Sequence, residues 1–338
     1  MLSIKKGPLL LVIFIIVLFH IIWYSTSRIV SSSDLPDNKK ITEYHTDLFK
    51  RLKINADMND VEEKYIEANG FNIHMDILNA GKGLPTIVFI PGTSAYAQLY
   101  IEFLDAMNKE GFNVIGFDPR GHGRSNGPRG DYTINELIDD TLAVVEYAKK
   151  RFGGKVAVSG SSQGGIAAFY AAARDNSIAA SICHNIAVLN GKDNLALAPL
   201  PIPQWSIPFI EFFMTIYQSY AIPISIYLDL SKELLKDGTD AETLINIDPL
   251  CVTWISLRAF RSLLRTDLAV PVEKITVPIM VLHAGKDNIF PNEYIKGIYD
   301  RLTCKKKLLL IENAEHLIMT NNVPEIRKPI SKWLKKVM

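Results

Sequence analysis

Five short runs, "TIVFIPG", "FNVIGFD", "KVAVSG", "AASICHN" and "PIMVLHAGKD", are almost continuously apolar instead of alternating with polar residues. A strand can be apolar on both faces only when both are covered, the condition met in a parallel sheet sandwiched between helices. Stretches with apolar residues near helical spacing, Leu99 to Lys109, Ile134 to Arg151 and Gly165 to Arg174, separate these runs. Strand and helix therefore alternate, which specifies an α/β fold with a mostly parallel central sheet flanked by helices. Ahead of them, "EEKYIEANGFNIHMDILNAG" alternates polar and apolar on both sides of Asn69-Gly70, the signal for a β-hairpin. At 338 residues the chain can bury one large α/β core.

In such a sheet, reacting groups gather at the carboxyl ends of the strands. There, Gly160-Ser161-Ser162-Gln163-Gly164 fits G-x-S-x-G in one register only, with Ser162 at the centre, because Ser159 stands where the other register needs glycine. A sharp strand-to-helix turn at this point lifts the hydroxyl above the sheet, and the glycines relieve the crowding it creates. The turn also aims the backbone N–H of Gln163 at the space where an oxyanion would develop. A serine hydroxyl needs a base, usually a histidine held by a carboxylate. Of seven histidines, His316 follows the apolar run Leu308 to Ile311, the last expected strand, and Asp287 follows the strand before it. The chain order Ser162, Asp287, His316 is the one expected of a nucleophile elbow followed by acid and base.

Together these features closely resemble the α/β-hydrolase superfamily from about Tyr65 to Lys336, within it the monoacylglycerol lipase and lysophospholipase group, sometimes placed with the serine aminopeptidases. "FDPRGHGRSNGPRG" is similar to that group's turn after the fourth strand, and "GSSQGG", "GKDNIFP" and "AEHLIM" to its nucleophile, acid and histidine boxes. The resemblance implies that the backbone N–H of Thr93 is the first oxyanion donor, beside that of Gln163. It also implies His-Gly after the third strand, where this chain has Pro91-Gly92. Proline offers no N–H, but that of Thr93 is intact.

Between the strands ending near His184 and beginning near Pro278 the chain is too long for a crossover and is expected to form a lid. Leu195 to Leu230 is rich in aromatic and aliphatic residues, broken by five prolines. No polar face separates from an apolar one between Trp205 and Ile222, so these residues either face a ligand, a membrane or both, or form the core of the cap. Trp205, Phe209, Phe213 and Tyr217 are the candidate substrate contacts. Ser256 to Leu268 has the pattern of an amphipathic helix leading back to the sheet.

The amino terminus is uncharged from Gly7 to Ser27, 21 residues. At about 1.5 Å per residue this spans about 31 Å, close to a bilayer core of roughly 30 Å. The expectation is a single-pass membrane anchor with the catalytic domain outside the cytoplasm. Cleavage near Ser25-Thr26-Ser27 would instead release a secreted or periplasmic protein. The domain organisation expected is anchor or signal at 1–28, linker and lead-in at 29–60, first hydrolase part at 61–188, lid at 189–270 and second hydrolase part at 271–338.

With 37 basic and 36 acidic residues the net charge is +1, which gives no footprint for nucleic acid. Cys183, Cys251 and Cys304 have neither zinc nor disulfide-framework spacing. "GHGRSNG" departs from the dinucleotide fingerprint, and no H-E-x-x-H accompanies His122 and Asp118, so neither a cofactor nor a metal is expected. The expected activity is serine-dependent hydrolysis of a lipid-like carboxylic ester, a monoacylglycerol or lysophospholipid, through an acyl-enzyme. The alternatives are a thioesterase, an aminopeptidase, or a non-catalytic binding module on the same fold. Epoxide hydrolases and haloalkane dehalogenases carry aspartate at the elbow, against Ser162.

Overall fold

A computed structural model describes residues 34–190 and 207–338. In chain order the strands are β1 Val61–Ala68, β2 Phe71–Leu78, β3 Thr86–Ile90, β4 Asn113–Phe117, β5 Val156–Ser161, β6 Ala180–His184, β7 Ala221–Pro223, β8 Trp254–Ser256, β9 Ile279–Ala284 and β10 Lys306–Ile311. The helices are α1 Asn38–Arg51, α2 Ile101–Lys109, α3 Ile134–Phe152, α4 Gln163–Arg174, α5 Ile207–Ile216, α6 Ala241–Ile247, α7 Leu257–Arg265, α8 Asn292–Arg301, α9 Ile318–Asn321 and α10 Val323–Val337.

Eight strands form one sheet in the order β1-β2-β4-β3-β5-β6-β9-β10. Pairing is antiparallel for β1 with β2 and β2 with β4, and parallel from β4 to β10. All of the apolar runs read from the sequence are strands of this sheet. Their continuity has a direct cause: successive residues of one strand enter different cores. Val88, Ile90 and Val158 pack on one side with α3 and α4, whereas Ile87, Phe89 and Ala157 pack on the other with α2 and α10. The β1–β2 register pairs Ala68 with Phe71, leaving Asn69 (φ +54°) and Gly70 (φ +82°) as a two-residue turn. Positive φ at both central residues gives the twist that suits a hairpin, and Asn-Gly tolerates it best.

Helix α3 starts where Thr133 and Glu136 form a reciprocal capping box and ends at Gly153 in the left-handed conformation. Between β6 and β9, the described part of the expected lid carries α5, the two-stranded β7–β8 ribbon, α6 and α7. The Ser256 side chain caps α7 by accepting from the Ala259 N–H at 3.0 Å.

Within the stretch expected to be linker and lead-in there is a helix, α1. Asp37 caps it by accepting from the Lys40 N–H at 3.0 Å, and Ile41, His45 and Leu48 are buried along one side. Two of the residues on that inner face, Tyr44 and His45, can be polar, so the stripe is not visibly apolar in the sequence. Tertiary contacts complete it: His45 Nε2 lies 2.7 Å from the Tyr96 hydroxyl, which donates to Asp248 at 2.9 Å. Burial depresses the His45 imidazole to a pKa of about 4.

The expected membrane anchor at Gly7 to Ser27 lies outside the described residues. Among the described residues no helix is long and apolar enough to cross a membrane. The expectation of an anchored protein with an extracytoplasmic catalytic domain is corrected accordingly, because uncharged length alone carried it.

If α1 is an integral part of the fold, Leu48→Ala removes a fully buried side chain and should cost about 2–5 kcal/mol of unfolding free energy. Urea denaturation of the two proteins measures this; an unchanged midpoint would mean that α1 is only loosely held.

Candidate active site

The turn between β5 and α4 leaves no room for side chains on its flanks. A Cβ on Gly160 would lie 2.1 Å from the Gly164 carbonyl oxygen, and one on Gly164 would lie 2.2 Å from the Ile90 oxygen and 2.4 Å from the Pro91 oxygen. Backbone therefore packs directly on backbone, which drives the chain through a tight corner at Ser162. That residue has φ +52° and ψ −117°, a conformation that costs about 1–3 kcal/mol outside glycine. The result is a serine presented between the carboxyl end of a central strand and the first turn of a helix.

Asp287 and His316 are brought together by strand register. Parallel pairing sets Ala284 opposite Ile311, so β9 and β10 end side by side. The loops beyond are laced together by the Gly285 N–H to the Ile311 carbonyl and the Lys286 N–H to the Ala314 carbonyl, each 2.9 Å. Asp287 and His316 thereby meet, with His316 Nδ1 2.9 Å from Asp287 Oδ2. The other Asp287 oxygen accepts the N–H groups of Ile289 at 2.8 Å and Phe290 at 2.9 Å. Burial raises the pKa of this carboxyl, but the bond and charge of His316, with His184 and the backbone donors, outweigh it and hold the group well below the usual range. Asp287 is thus an ion that fixes the ring through Nδ1, and the Phe290 ring stacks on it at 5.8 Å between centroids.

Three further side chains of the site carry no sequence signal. Asn185, just past β6, donates through Nδ2 to Asp287 Oδ2 at 2.9 Å, and its own oxygen lies 3.1 Å from His283 Nδ1. His184, at the end of β6, lies 3.3 Å from the Ser161 hydroxyl, and its ring centroid is 5.1 Å from that of His316. Burial, then the charge of His316, pushes the His184 pKa well below the ordinary imidazole range. Among the described residues two groups bring metal-type ligand atoms within 4.8 Å of one another: His184, Asp287 and His316, and, outside the site, Glu63, His74 and Asp76. In the first, Asp287 is engaged by His316 and Asn185; in the second, Arg124 pairs with Glu63 and Asp118 with His74.

Ser162, Thr93 and His316 line one cavity of about 80 Å³. The loop after β3 leans on the elbow, where the Tyr100 hydroxyl accepts the Gly92 N–H at 3.3 Å. Tyr100 thus ties down a loop that has proline in place of histidine. Gln163 is buried as the first residue of α4, its side-chain oxygen accepting from the Tyr132 hydroxyl at 2.7 Å. The cavity wall is largely aliphatic: Leu52 and Ile54 just past α1, Ala95 and Leu99 ahead of α2, Leu228, Leu230, Leu235 and Leu244 between β7 and the middle of α6, and Leu317 after β10.

The candidate lid contacts are placed differently. The side chains of Trp205 and Phe209 lie outside the described residues. Phe213 and Tyr217 stack on each other with centroids 4.4 Å apart, and neither belongs to the cavity wall. Phe213 is 43% exposed, and Tyr217 packs at the edge of the main core. Apolar density marked this segment, but the cavity that holds Ser162 is lined instead by Leu52 and Ile54, just past α1, a helix the sequence reading left out, and by leucines further along the cap.

Residues 82–322 match the profile of the family described as serine aminopeptidase, S33. The chain belongs to that family. This hydrolase is 26% identical over 251 residues to the bifunctional esterase/perhydrolase DCH of Acinetobacter calcoaceticus, covering 67% of this chain and 83% of the relative. Among solved structures it superposes on the monoglyceride lipase of Saccharomyces cerevisiae with a TM-score of 0.68 at 17% identity, over 84% of this chain and 98% of the other. It superposes on the monoacylglycerol lipase of Paleococcus ferrophilus with a TM-score of 0.62 at 22% identity, over 79% and 99%. The fold is that of an α/β-hydrolase, in the group that holds these lipases and esterases. Helix α1 lies ahead of the matched region.

The contact at Gly164 gives a direct test. Gly164→Ala in this hydrolase should cost about 1–3 kcal/mol or more, since the colliding atoms are backbone. Gly297→Ala, in α8 with no atom within 4 Å of the added carbon, should be neutral or stabilising by up to about 1 kcal/mol. Denaturation midpoints of the two variants separate the cases.

Proposed function

We propose that this α/β-hydrolase is a serine esterase that cleaves lipid-like carboxylic esters, monoacylglycerol or lysophospholipid in type, through an acyl-enzyme. The observation that carries the reading is the hydrogen-bonded Asp287–His316 pair sharing a leucine-walled cavity with Ser162. Ser162 attacks the ester carbonyl while His316 accepts its proton. The N–H groups of Thr93 and Gln163 hold the oxyanion, and His316 returns the proton to the departing alcohol. Water then enters by the same route and releases the fatty acid. Asp287 keeps the ring oriented and stabilises its cation throughout. These steps need nothing beyond the protein and water.

The family description names an aminopeptidase, but the cavity favours an ester. An amino-terminal substrate brings a cation that needs a carboxylate, and among the described residues the wall holds no carboxylate, Lys236 being its one Lys, Arg, Asp or Glu. An aliphatic wall suits an acyl chain. The names of the yeast and archaeal neighbours, both lipases of monoacylglycerols, agree with this choice.

Ser162→Ala should lower ester turnover by three powers of ten or so and abolish fluorophosphonate labelling while the protein stays folded. Ser161→Ala should keep most of the activity. Near-wild-type turnover by the Ser162 variant would refute the assignment.

Each methylene seated in the cavity contributes up to about 0.8 kcal/mol, about fourfold in kcat/KM. With p-nitrophenyl esters of increasing chain length, wild-type kcat/KM should climb until the cavity is full. Leu52→Trp should move the optimum to shorter chains. An optimum at acetate in the wild type, or no shift in the variant, would show that this cavity does not hold the acyl chain.

A further inference from the structure

Glu233 is a carboxylate with no exposed surface, lying in the segment between β7 and α6. Burying a carboxylate is costly unless donors meet it. It is met by two groups of the site: its Oε2 accepts the backbone N–H of His316 at 3.0 Å, and its Oε1 accepts the Asn288 side-chain amide at 3.3 Å. The first belongs to the base itself, the second to the neighbour of Asp287. One side chain thus bridges the loop beyond β10 and the loop beyond β9.

The segment that presents Glu233 also walls the cavity. The Glu233 carbonyl accepts the Ala241 N–H at 2.8 Å, Leu234 bridges to Asp240, and the Asn321 amide holds the Leu234 carbonyl at 2.8 Å. Leu230, Leu235 and Ala241, around it in the chain, line the space beside Ser162. We infer that Glu233 is a positioning residue that fixes His316 from the cavity wall and places a second negative charge beside the imidazole as it becomes cationic. The inference rests on His316 acting as the base.

Among the described residues the charged and titratable groups around His316 are Asp287 from the loop after β9, His184 from the end of β6, His283 from β9, whose pKa burial lowers, Lys236 on the cavity wall, and Glu233. Lys236 is paired with Glu102, and burial keeps His184 uncharged, so Asp287 and Glu233 dominate. Burial raises the pKa of Glu233, and attraction to His316 counters it.

The test is kcat, KM and the pH profile of kcat/KM on a p-nitrophenyl ester for wild type, Glu233→Gln and Glu233→Asp, with circular dichroism and thermal melts as the check on folding. Glu233→Gln keeps the length and an acceptor oxygen but loses the charge. Its kcat should fall about tenfold or more with KM little changed. A carboxylate beside an imidazole favours the protonated ring, so its loss should move the acid limb of the profile to lower pH. Glu233→Asp retains the charge and should leave the limb in place, with kcat between those of wild type and Glu233→Gln. A folded Glu233→Gln enzyme with wild-type kcat, or with reduced kcat and an unmoved limb, overturns the inference. Should Glu233→Gln fail to fold, a Glu233→Asp enzyme with full wild-type kcat overturns it instead. A wild-type protein that neither turns over the ester nor reacts with a fluorophosphonate overturns the serine-esterase reading, and this inference with it. An active wild type with unaffected variants overturns the inference alone.

Discussion

The buried ion at Asp287 is the interaction on which the site depends. Removing a carboxylate from water opposes its charge, and the fold answers with four hydrogen bonds: from His316 and Asn185 to one oxygen, and from the backbone of Ile289 and Phe290 to the other. Such bonds to the charged form are what hold its pKa down. With the ion fixed, the imidazole has one orientation. Without it, His316 would be a buried ring with nothing on Nδ1 to orient it.

Each of those donors has its own structural origin. Parallel register ends β9 and β10 together, bringing the two loops into reach; β6 ends nearby and supplies Asn185, while the turn at Ser162 comes from β5. The ends of the parallel strands thus act as a common rim, which is why an α/β sheet concentrates chemistry there. Glu233 comes from outside the rim, from the chain between β6 and β9. The apolar cavity wall and the loop that carries His316 are consequently joined by one buried side chain.

The wall departs from the expectation set by composition. The aromatic stretch from Trp205 onward is dense in apolar residues, yet Phe213 is 43% exposed and Tyr217 packs at the edge of the core. The wall is made mainly by aliphatic residues far apart in the chain: Leu52 and Ile54 after α1, Leu99 ahead of α2, Leu228, Leu230, Leu235 and Leu244 after β7, and Leu317 after β10. An apolar residue in a cap has several surfaces on which to be buried, and local pattern does not say which. Likewise the uncharged Gly7 to Ser27 has the length of a span, but among the described residues no helix is long and apolar enough to cross a membrane.

What the sequence determined by itself was everything governed by neighbours along the chain. Continuous apolar runs identified the parallel strands, Asn69-Gly70 the hairpin turn, and the glycines around Ser162 the sharp corner, because each follows from local geometry. The order Ser162, Asp287, His316 was likewise legible, since each residue follows its own strand. Tertiary structure alone decided the partners that meet across long separations: Asn185 on Asp287, Glu233 on the His316 backbone, His45 on Tyr96, and Leu52 and Ile54, just past α1, on the cavity. Asparagine, glutamate and histidine in these positions have no periodicity or spacing to mark them. Their roles arise from burial, which makes a polar side chain seek a partner wherever the fold has brought one.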